Sequence, residues 1–407
     1  MRLLKFLQLS DLHLDSSMSS GRLGLPLEKV RIRQKELRAV LPSACAIARQ
    51  RSVDIVLIPG DLFDDEAVSL DTINFAIEVL GELAPLPVVI APGNHDYYSL
   101  GSLYNNELLT ARRQKPWPSN VKIFRTGAWE VWRPEGLPGL SVTGMAHAAG
   151  ASIQDRLIAA RIPRDEDAAI KVLIFHGSRD NTDLPKGKLQ TLPFSDAELQ
   201  DQGFDYAAIG HYHTGAFLKG REGRIIGAYA GCPAGRGLDE TGPKSILAGE
   251  ITKEGPGDPA RVTLENIEVD GRRLHQVEVR CDGVTNREAI LSRIDEKLAL
   301  VNCREEDIVY IRLTGRVAAG IDLQVPEGVL AGRHFHAAVD PSRLRPAYDM
   351  DRYRRGDLRT TEARFAREML RRIDEAGDTH TRRLLENALY YGLDALVQKE
   401  VSPRYEE

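Results

Sequence analysis

The chain has 407 residues, of which 42% are apolar and 28% are charged. This length exceeds what one hydrophobic core usually serves, so we expect two or three domains. The net charge of −5 argues against a chain that binds nucleic acid by overall charge, and a DNA partner would require a local basic surface. The sequence contains no apolar run near the roughly 18 to 20 residues that a membrane-spanning helix needs, and we expect a cytoplasmic protein without a membrane partner.

Short apolar runs alternate with helical periods over the first two thirds of the chain, which predicts a layered α-β fold. Five of these runs are rich in Val and Ile and are typical of buried strands. They are Leu4–Leu9, Ile55–Ile58, Val88–Ala91, Val172–Phe175 and Tyr206–Ile209. A helix is predicted over Glu28–Arg51, where Pro42 indicates a kink or two separate helices, and another over Asp71–Leu83.

The last third of the chain has a different pattern. Alternating strand and helix segments predict a small α+β unit, and two amphipathic helices are predicted after it. The segments are Leu274–Val279, Arg287–Leu300, Ile308–Leu313, Arg333–Val339, Thr361–Glu375 and Thr379–Val397. We therefore expect a first domain over residues 1–270, a small α+β domain over 271–345 and a helical segment over 346–407.

Polar side chains follow each of the five predicted strands, at the point where the strand gives way to a loop. They are Asp11 and His13, then Asp61 and Asp64, then Asn94, His95 and Asp96, then His176, and last His211 and His213. In layered α-β folds this edge is where sites are built, because strands fix the backbone while loops supply the functional groups. Carboxylates, an amide oxygen and imidazoles without a thiolate suit manganese, iron or zinc better than calcium.

Each of these elements has an ordinary structural explanation when it is taken alone. A histidine after a strand is often a capping or core residue, and Gly-Asn-His-Asp can be a simple turn. Five such elements in order favour a metal site instead. We interpret His147, His334 and His336, which lack this context, as surface or core residues. Arg236 lies in a glycine-rich segment that is not a nucleotide-binding loop, although it is a candidate to meet a phosphate.

The order Asp-x-His, Gly-Asp-x-x-Asp, Gly-Asn-His-Asp, His and Gly-His-x-His resembles the calcineurin-like metallophosphoesterase superfamily over about residues 1–250. The resemblance implies a layered αββα sandwich with a small α+β capping domain and a helical C-terminal segment. Within the superfamily the chain is similar to the nuclease branch of the SbcD and YhaO type. The features that resemble this branch are Gly60–Asp64, the stretch Tyr229–Gly242 and the small α+β unit.

The resemblance also implies a role for each site residue. One metal ion would be bound by Asp11, His13, Asp61 and His213, and a second by Asp61, Asn94, His176 and His211, so that Asp61 bridges the two. His95 would be the general acid, oriented by Asp96. We expect two divalent ions, with manganese first and iron, magnesium or zinc as alternatives. Some nucleases of this branch have histidine where Asp64 stands, so the role of Asp64 stays open.

The function implied by the resemblance is a metal-dependent DNA exo- or endonuclease of the double-strand-break repair type. Its implied partners are DNA, a coiled-coil ATPase of the SbcC type that the two C-terminal helices would bind, and a second copy of the chain. Residues 343–383, with 12 Arg, no Lys and 8 acidic residues, are a candidate basic region or an ordinary solvated helix face. The alternatives are a phosphatase or phosphodiesterase for small molecules, and a binding module without catalysis.

Overall fold

The computed structural model describes residues 2–16, 18, 23–64, 68–148, 153–180, 190–255, 257–317, 330, 332–356 and 359–398. The chain divides into two compact units. The first extends to Arg273, and the second begins at Leu274 and also includes Leu23 and Gly24. Within the described residues, no helix has both the length and the apolar content that crossing a membrane requires.

The first unit is built from twelve described strands and four described helices. The strands are β1 (Arg2–Gln8), β2 (Ile55–Ile58), β3 (Val88–Ile90), β4 (Val121–Ile123), β5 (Glu130–Trp132), β6 (Leu140–Gly144), β7 (Ile170–His176), β8 (Tyr206–Gly210), β9 (Ala216–Lys219), β10 (Ile225–Tyr229), β11 (Ser245–Lys253) and β12 (Arg261–Glu268). The helices are α1 (Leu27–Gln50), α2 (Leu70–Gly81), α3 (Asn106–Ala111) and α4 (Asp196–Asp201).

These strands form two six-stranded sheets, ordered β12-β11-β1-β2-β3-β4 and β5-β6-β7-β8-β10-β9. Strands β1 to β4 are parallel in the first sheet, and β6, β7, β8 and β10 are parallel in the second. The carboxyl ends of parallel strands lie at one edge of each sheet. The loops that follow β1, β2 and β3 therefore leave the same edge of the first sheet, and those that follow β7 and β8 leave one edge of the second.

The alternation of side chains along each strand explains the layers. Leu4 and Phe6 of β1 pack with Val172 and Ile174 of β7, so one core lies between the two sheets. Leu7 of β1 faces the other way and packs in a second core with α1 and α2. A third core covers the outer face of the second sheet and includes Leu199 of α4. This layered sandwich confirms the predicted fold class.

Helix α1 continues from Leu27 to Gln50 with Pro42 inside it, so of the two predicted alternatives, a kink or two separate helices, the second is wrong. Proline removes one backbone hydrogen bond from a helix. Leu37 and Leu41, on the N-terminal side of Pro42, and Ala44, on its C-terminal side, are all buried against the first sheet. This packing holds the helix together across the proline.

The second unit contains a three-stranded parallel sheet followed by helices. Its elements are β13 (Leu274–Arg280), α5 (Arg287–Leu300), β14 (Ile308–Val317), β15 (His336–Pro346), α6 (Met350–Arg355), α7 (Thr361–Glu375) and α8 (Thr379–Leu393). Strand β15 begins at His336 and ends at Pro346, so the predicted bounds of 333–339 are wrong. The strand extends past the apolar run because it continues to pair with β14 as far as Val317. The helical C-terminal segment is present as predicted.

Candidate metal centre

The structure brings all seven predicted ligands together at the edge of the sandwich. Ligand atoms of Asp11, His13 and His213 lie within 4.8 Å of one another, and so do those of Asp11, Asp61 and His176. Asn94 Oδ1 lies 3.0 Å from His176 Nε2. The His211 ring lies 5.1 Å from the His176 ring, measured between centroids. Side chains from four loops and from the end of β7 therefore surround one small volume.

The backbone of these loops is held in unusual conformations. Asp11, His13 and Asp61 have φ angles of 55°, 46° and 53°, in the left-handed region that residues with a Cβ rarely adopt. Such strain persists only where the surrounding structure enforces it, and it is concentrated at functional sites. Gly60 has a φ of 91°, and a Cβ on this residue would lie 2.5 Å from His176 Nδ1. The glycine before Asp61 is therefore required both by its conformation and by the approach of a ligand side chain.

Asp61 occupies the centre of the cluster. Its Oδ2 lies 3.2 Å from His176 Nε2 and 3.6 Å from His13 Nε2, and its Oδ1 accepts a hydrogen bond from the His95 backbone N–H at 2.9 Å. Burial alone would raise the pKa of Asp61, but the His176 imidazole holds that pKa well below its usual range. Burial alone would lower the pKa of His176, but Asp61 raises it to about 9. The centre therefore favours positive charge beside a buried carboxylate.

His213 contacts a carboxylate on each side of its ring. Its Nε2 lies 3.8 Å from Asp11 Oδ1, and its Nδ1 lies 2.6 Å from Glu240 Oε1. Arg236, a candidate to meet a phosphate, donates to Glu240 from Nη2 at 2.6 Å, and the same nitrogen lies 3.1 Å from His213 Nδ1. Sequence reasoning missed Glu240. Glu240 lies within the stretch Tyr229–Gly242, which resembles the nuclease branch, but the resemblance implied no role for it.

The carboxylate beside His95 is Asp64, whose Oδ1 lies 3.0 Å from His95 Nδ1 and 3.4 Å from His13 Nδ1. The hydrogen bond with Asp64 raises the pKa of His95. Among the hydrogen bonds and ion pairs of the described residues, none joins the Asp96 side chain to the His95 ring. The prediction that Asp96 orients His95 is therefore corrected, and Asp64 occupies that position.

Asp96 binds backbone instead. It accepts hydrogen bonds from the amides of Asp61, Leu62 and Gly93 at 3.1, 2.7 and 2.7 Å, and from the Tyr104 hydroxyl at 2.6 Å. The loops after β2 and β3 are thereby tied to one buried carboxylate. The physical reason is the sharp turn at positions 60–61, which directs the amides of that loop toward Asp96. Asp96 therefore supports the loop that carries Asp61.

Three histidines that we interpreted as surface or core residues lie outside this cluster. His147 is buried, and its Nε2 lies 2.9 Å from the His176 backbone oxygen. Burial lowers the pKa of His147 to about 4, so it is a neutral core residue beside the site. His334 and His336 belong to the second unit. His334 Nδ1 lies 2.9 Å from the Arg304 backbone oxygen, and His336 Nε2 lies 2.5 Å from the Leu23 backbone oxygen.

The side chains present fit a pair of divalent cations. His13 Nε2 is buried and has no hydrogen-bond partner within the described part of the chain, although such atoms are almost always paired. Asp11 and Asp61 are also buried, with relative exposures of 1% and 2%, and buried carboxylates require positive partners. A bound cation would give His13 Nε2 a partner and would neutralise the charge of Asp11 and Asp61.

Comparison with known proteins agrees with this geometry. A family model described as calcineurin-like phosphoesterase matches residues 4–215 of the chain. The "Uncharacterized metallophosphoesterase YhaO" of Bacillus subtilis is 30% identical over 254 residues, which are 61% of this chain and 58% of that protein. The "DNA double-strand break repair protein Mre11" of Saccharolobus solfataricus is 26% identical over 209 residues, 49% of each chain. This chain thus spans about half the length of these relatives.

Among solved structures, the chain is similar to TT1561 of Thermus thermophilus. The two are 13% identical, and the similarity covers 66% of this chain and 100% of that one, with a TM-score of 0.36.

Proposed function

Because this chain belongs to the calcineurin-like phosphoesterase family, a family of dimetal hydrolases that act on phosphoric esters, we propose that it is a nuclease that cleaves phosphodiester bonds in DNA. The observation that carries the proposal is the convergence of six oxygen- and nitrogen-bearing side chains around a seventh, the buried Asp61.

The ligand assignment divides the seven residues between two ions. Asp11, His13 and His213 would hold one cation, and Asn94, His176 and His211 the other, while Asp61 would bridge them. Asp61 suits the bridge because its Oδ2 lies between the two groups, 3.6 Å from His13 Nε2 and 3.2 Å from His176 Nε2. When bound, two such cations neutralise phosphate charge and lower the pKa of a water between them. Manganese is the proposed metal, with iron, magnesium or zinc as alternatives, since a mixed O/N ligand set without a thiolate accommodates manganese, iron or zinc.

His95 is proposed as the general acid. Its side chain is 52% exposed, so a bound substrate can reach it. Asp64 contacts its Nδ1 and favours the protonated ring, which leaves Nε2 to give its proton to the departing oxygen. Asp64 Oδ1 also lies 3.4 Å from His13 Nδ1, farther than from the His95 ring.

DNA is the proposed substrate because relatives named as DNA double-strand break repair proteins align with the chain. We further propose a nuclease core over residues 1–270, a capping domain over 271–345 and a docking segment over 346–407 for a coiled-coil ATPase of the SbcC type. A homodimer and a cytoplasmic location complete this proposal.

A small phosphodiester is the second candidate substrate, and one observation favours it. The Arg-rich segment that we considered as a basic surface has arginines paired with its own acidic residues. Arg371 contacts Glu368 and Glu375, and Arg354 contacts Asp374. Paired arginines on a helix face provide less positive potential for a DNA backbone than the composition suggests.

One assay separates the candidates. The purified chain is incubated with manganese and offered linear duplex DNA, single-stranded DNA and a chromogenic phosphodiester, with His95→Ala as the matched control. DNA cleavage that requires manganese supports the nuclease. Cleavage of the chromogenic ester alone supports the small substrate. Two bound ions without hydrolysis of any substrate would contradict both proposals.

A further inference from the structure

The side of the centre that holds His213 is supported by a charged network that neither the ligand assignment nor the proposed mechanism uses. Glu240 has a side-chain exposure of 4% and lies 2.6 Å from His213 Nδ1, on the side of the ring away from Asp11. An imidazole whose Nδ1–H is donated to a carboxylate has its lone pair on Nε2. Nε2 is the nitrogen that lies toward Asp11 and the proposed cation.

Arg236 makes this buried carboxylate possible. It donates to Glu240 from its backbone N–H at 2.7 Å and from Nη2 at 2.6 Å. A buried carboxylate without a cation would be costly, whereas a paired and hydrogen-bonded one is tolerated. The Arg236–Glu240 pair thus presents an oriented acceptor to His213 from within the protein.

A second ion pair fixes the loop that carries Arg236. Arg33 of α1 is 1% exposed and binds Asp270 through both terminal nitrogens at 3.0 Å. Arg33 also donates to the Gly235 backbone oxygen at 2.8 Å, and Asp270 accepts from the Gly235 N–H at 2.9 Å. Both backbone groups of the residue before Arg236 are therefore held, which restricts where Arg236 and Glu240 lie.

We propose that Glu240, held by Arg236, is a positioning residue that sets His213 with Nε2 toward the cation it shares with Asp11 and His13. The proposal rests on the proposed function, because it assigns a partner to one of the proposed ligands. Carboxylate partners of metal-binding histidines fix the ring and its tautomer, and removing them weakens metal binding on the order of 10- to 100-fold.

The test is a manganese titration by calorimetry on the full chain, with no activity readout. In the double variant Arg236→Met with Glu240→Leu, apolar residues replace the buried pair, which avoids leaving one charge alone. We expect one of the two ions to bind about 10 to 100 times more weakly and the other to bind as before. Glu240→Gln should weaken manganese binding less than the double variant does, because the glutamine amide oxygen can still accept a hydrogen bond from His213 Nδ1–H. The matched control is Arg51→Met with Glu265→Leu, which removes an exposed ion pair and should change neither affinity.

The outcomes separate the two proposals. If the double variant binds both ions with unchanged affinity, Glu240 does not position His213, and the proposed function stands. If the unmodified chain does not bind a pair of ions, the proposed function fails. If the double variant does not fold, a measurement on the unmodified protein still tests the positioning role. The nitrogen chemical shifts of His213 in the metal-free protein should report a proton on Nδ1, and an Nδ1 without a proton would overturn the positioning role.

Discussion

The two sides of the proposed metal centre hold their histidines by different means. His176 is 1% exposed, and its Nδ1 lies 3.0 Å from the Pro59 backbone oxygen. His213 Nδ1 lies 2.6 Å from the side chain of Glu240, which in turn depends on Arg236. One ring is thus oriented by the backbone of a strand end and the other by a pair of side chains.

This difference has consequences for how each side responds to mutation. The carbonyl oxygen of Pro59 cannot be removed by changing a side chain, so the orientation of His176 has no partner side chain that a substitution could delete, although a Cβ at Gly60 would collide with its ring. The His213 side depends on charges that single substitutions can delete. Metal affinity should therefore be more variable on the His213 side.

Asp61→Ala should have the largest effect on metal binding and hydrolysis, because it removes the carboxylate that both sides of the centre share. Both ions should be lost together with hydrolysis, a loss greater than the roughly 10- to 100-fold cost of removing a partner of a ligand. Manganese content by elemental analysis and hydrolysis of the chromogenic ester measure this. Retention of both ions would show that Asp61 is not the bridge.

His95→Ala should reduce turnover by about 100- to 10,000-fold while leaving both sides of the metal centre intact. The loss should be greatest for substrates with poor leaving groups, which need the proton most. Turnover of DNA and of an activated aryl ester should be compared in the same preparation, alongside the metal titration. Equal losses on both substrates would remove His95 from the role of acid.

Asp64→Asn should reduce turnover less than His95→Ala, on the order of 10- to 100-fold, since the amide can still orient the His95 ring but carries no charge. Because Asp64 acts through His95, the double variant Asp64→Asn with His95→Ala should be no slower than His95→Ala alone. A double variant in which the two losses multiply would show that Asp64 acts independently, through His13.

Tyr104→Phe should have the smallest effect. It removes one hydrogen bond to buried Asp96, at 2.6 Å, and leaves the four backbone donors that also bind that carboxylate. We expect a loss of about 1 kcal/mol in the free energy of unfolding, measured by urea denaturation, with turnover nearly unchanged. A large fall in turnover would mean that Tyr104 has a role beyond supporting Asp96.

Much of the fold and the candidate site was predictable because apolar runs and the residues directly after them are local features. The strands before Asp61 and His176 were recognisable because each has a run of four consecutive apolar residues, Ile55–Ile58 and Val172–Phe175. The partner of His95 was not predictable in this way. Asp64 and Asp96 both belong to the motifs, and the choice between them depends on a left-handed backbone at Asp61 that places Asp96 against amides.

Contacts between residues distant in the sequence were also beyond prediction. Glu240 meets His213 across 27 positions, and Arg33 meets Asp270 across 237. Neither pair has a local pattern, since each joins segments that only the folded sheets bring together. Strand β15 was misplaced for a similar reason, because its pairing with β14 extends its end beyond the apolar run.

The central claim is that a pair of cations shares Asp61, with His213 and His176 on opposite sides. The most direct test is a crystal structure of the full chain grown with manganese, with anomalous diffraction measured at the manganese edge. We predict two anomalous peaks, both bound by Asp61, with one contacted by His213 and the other by His176. A single peak, or two peaks that do not share Asp61, would contradict the account.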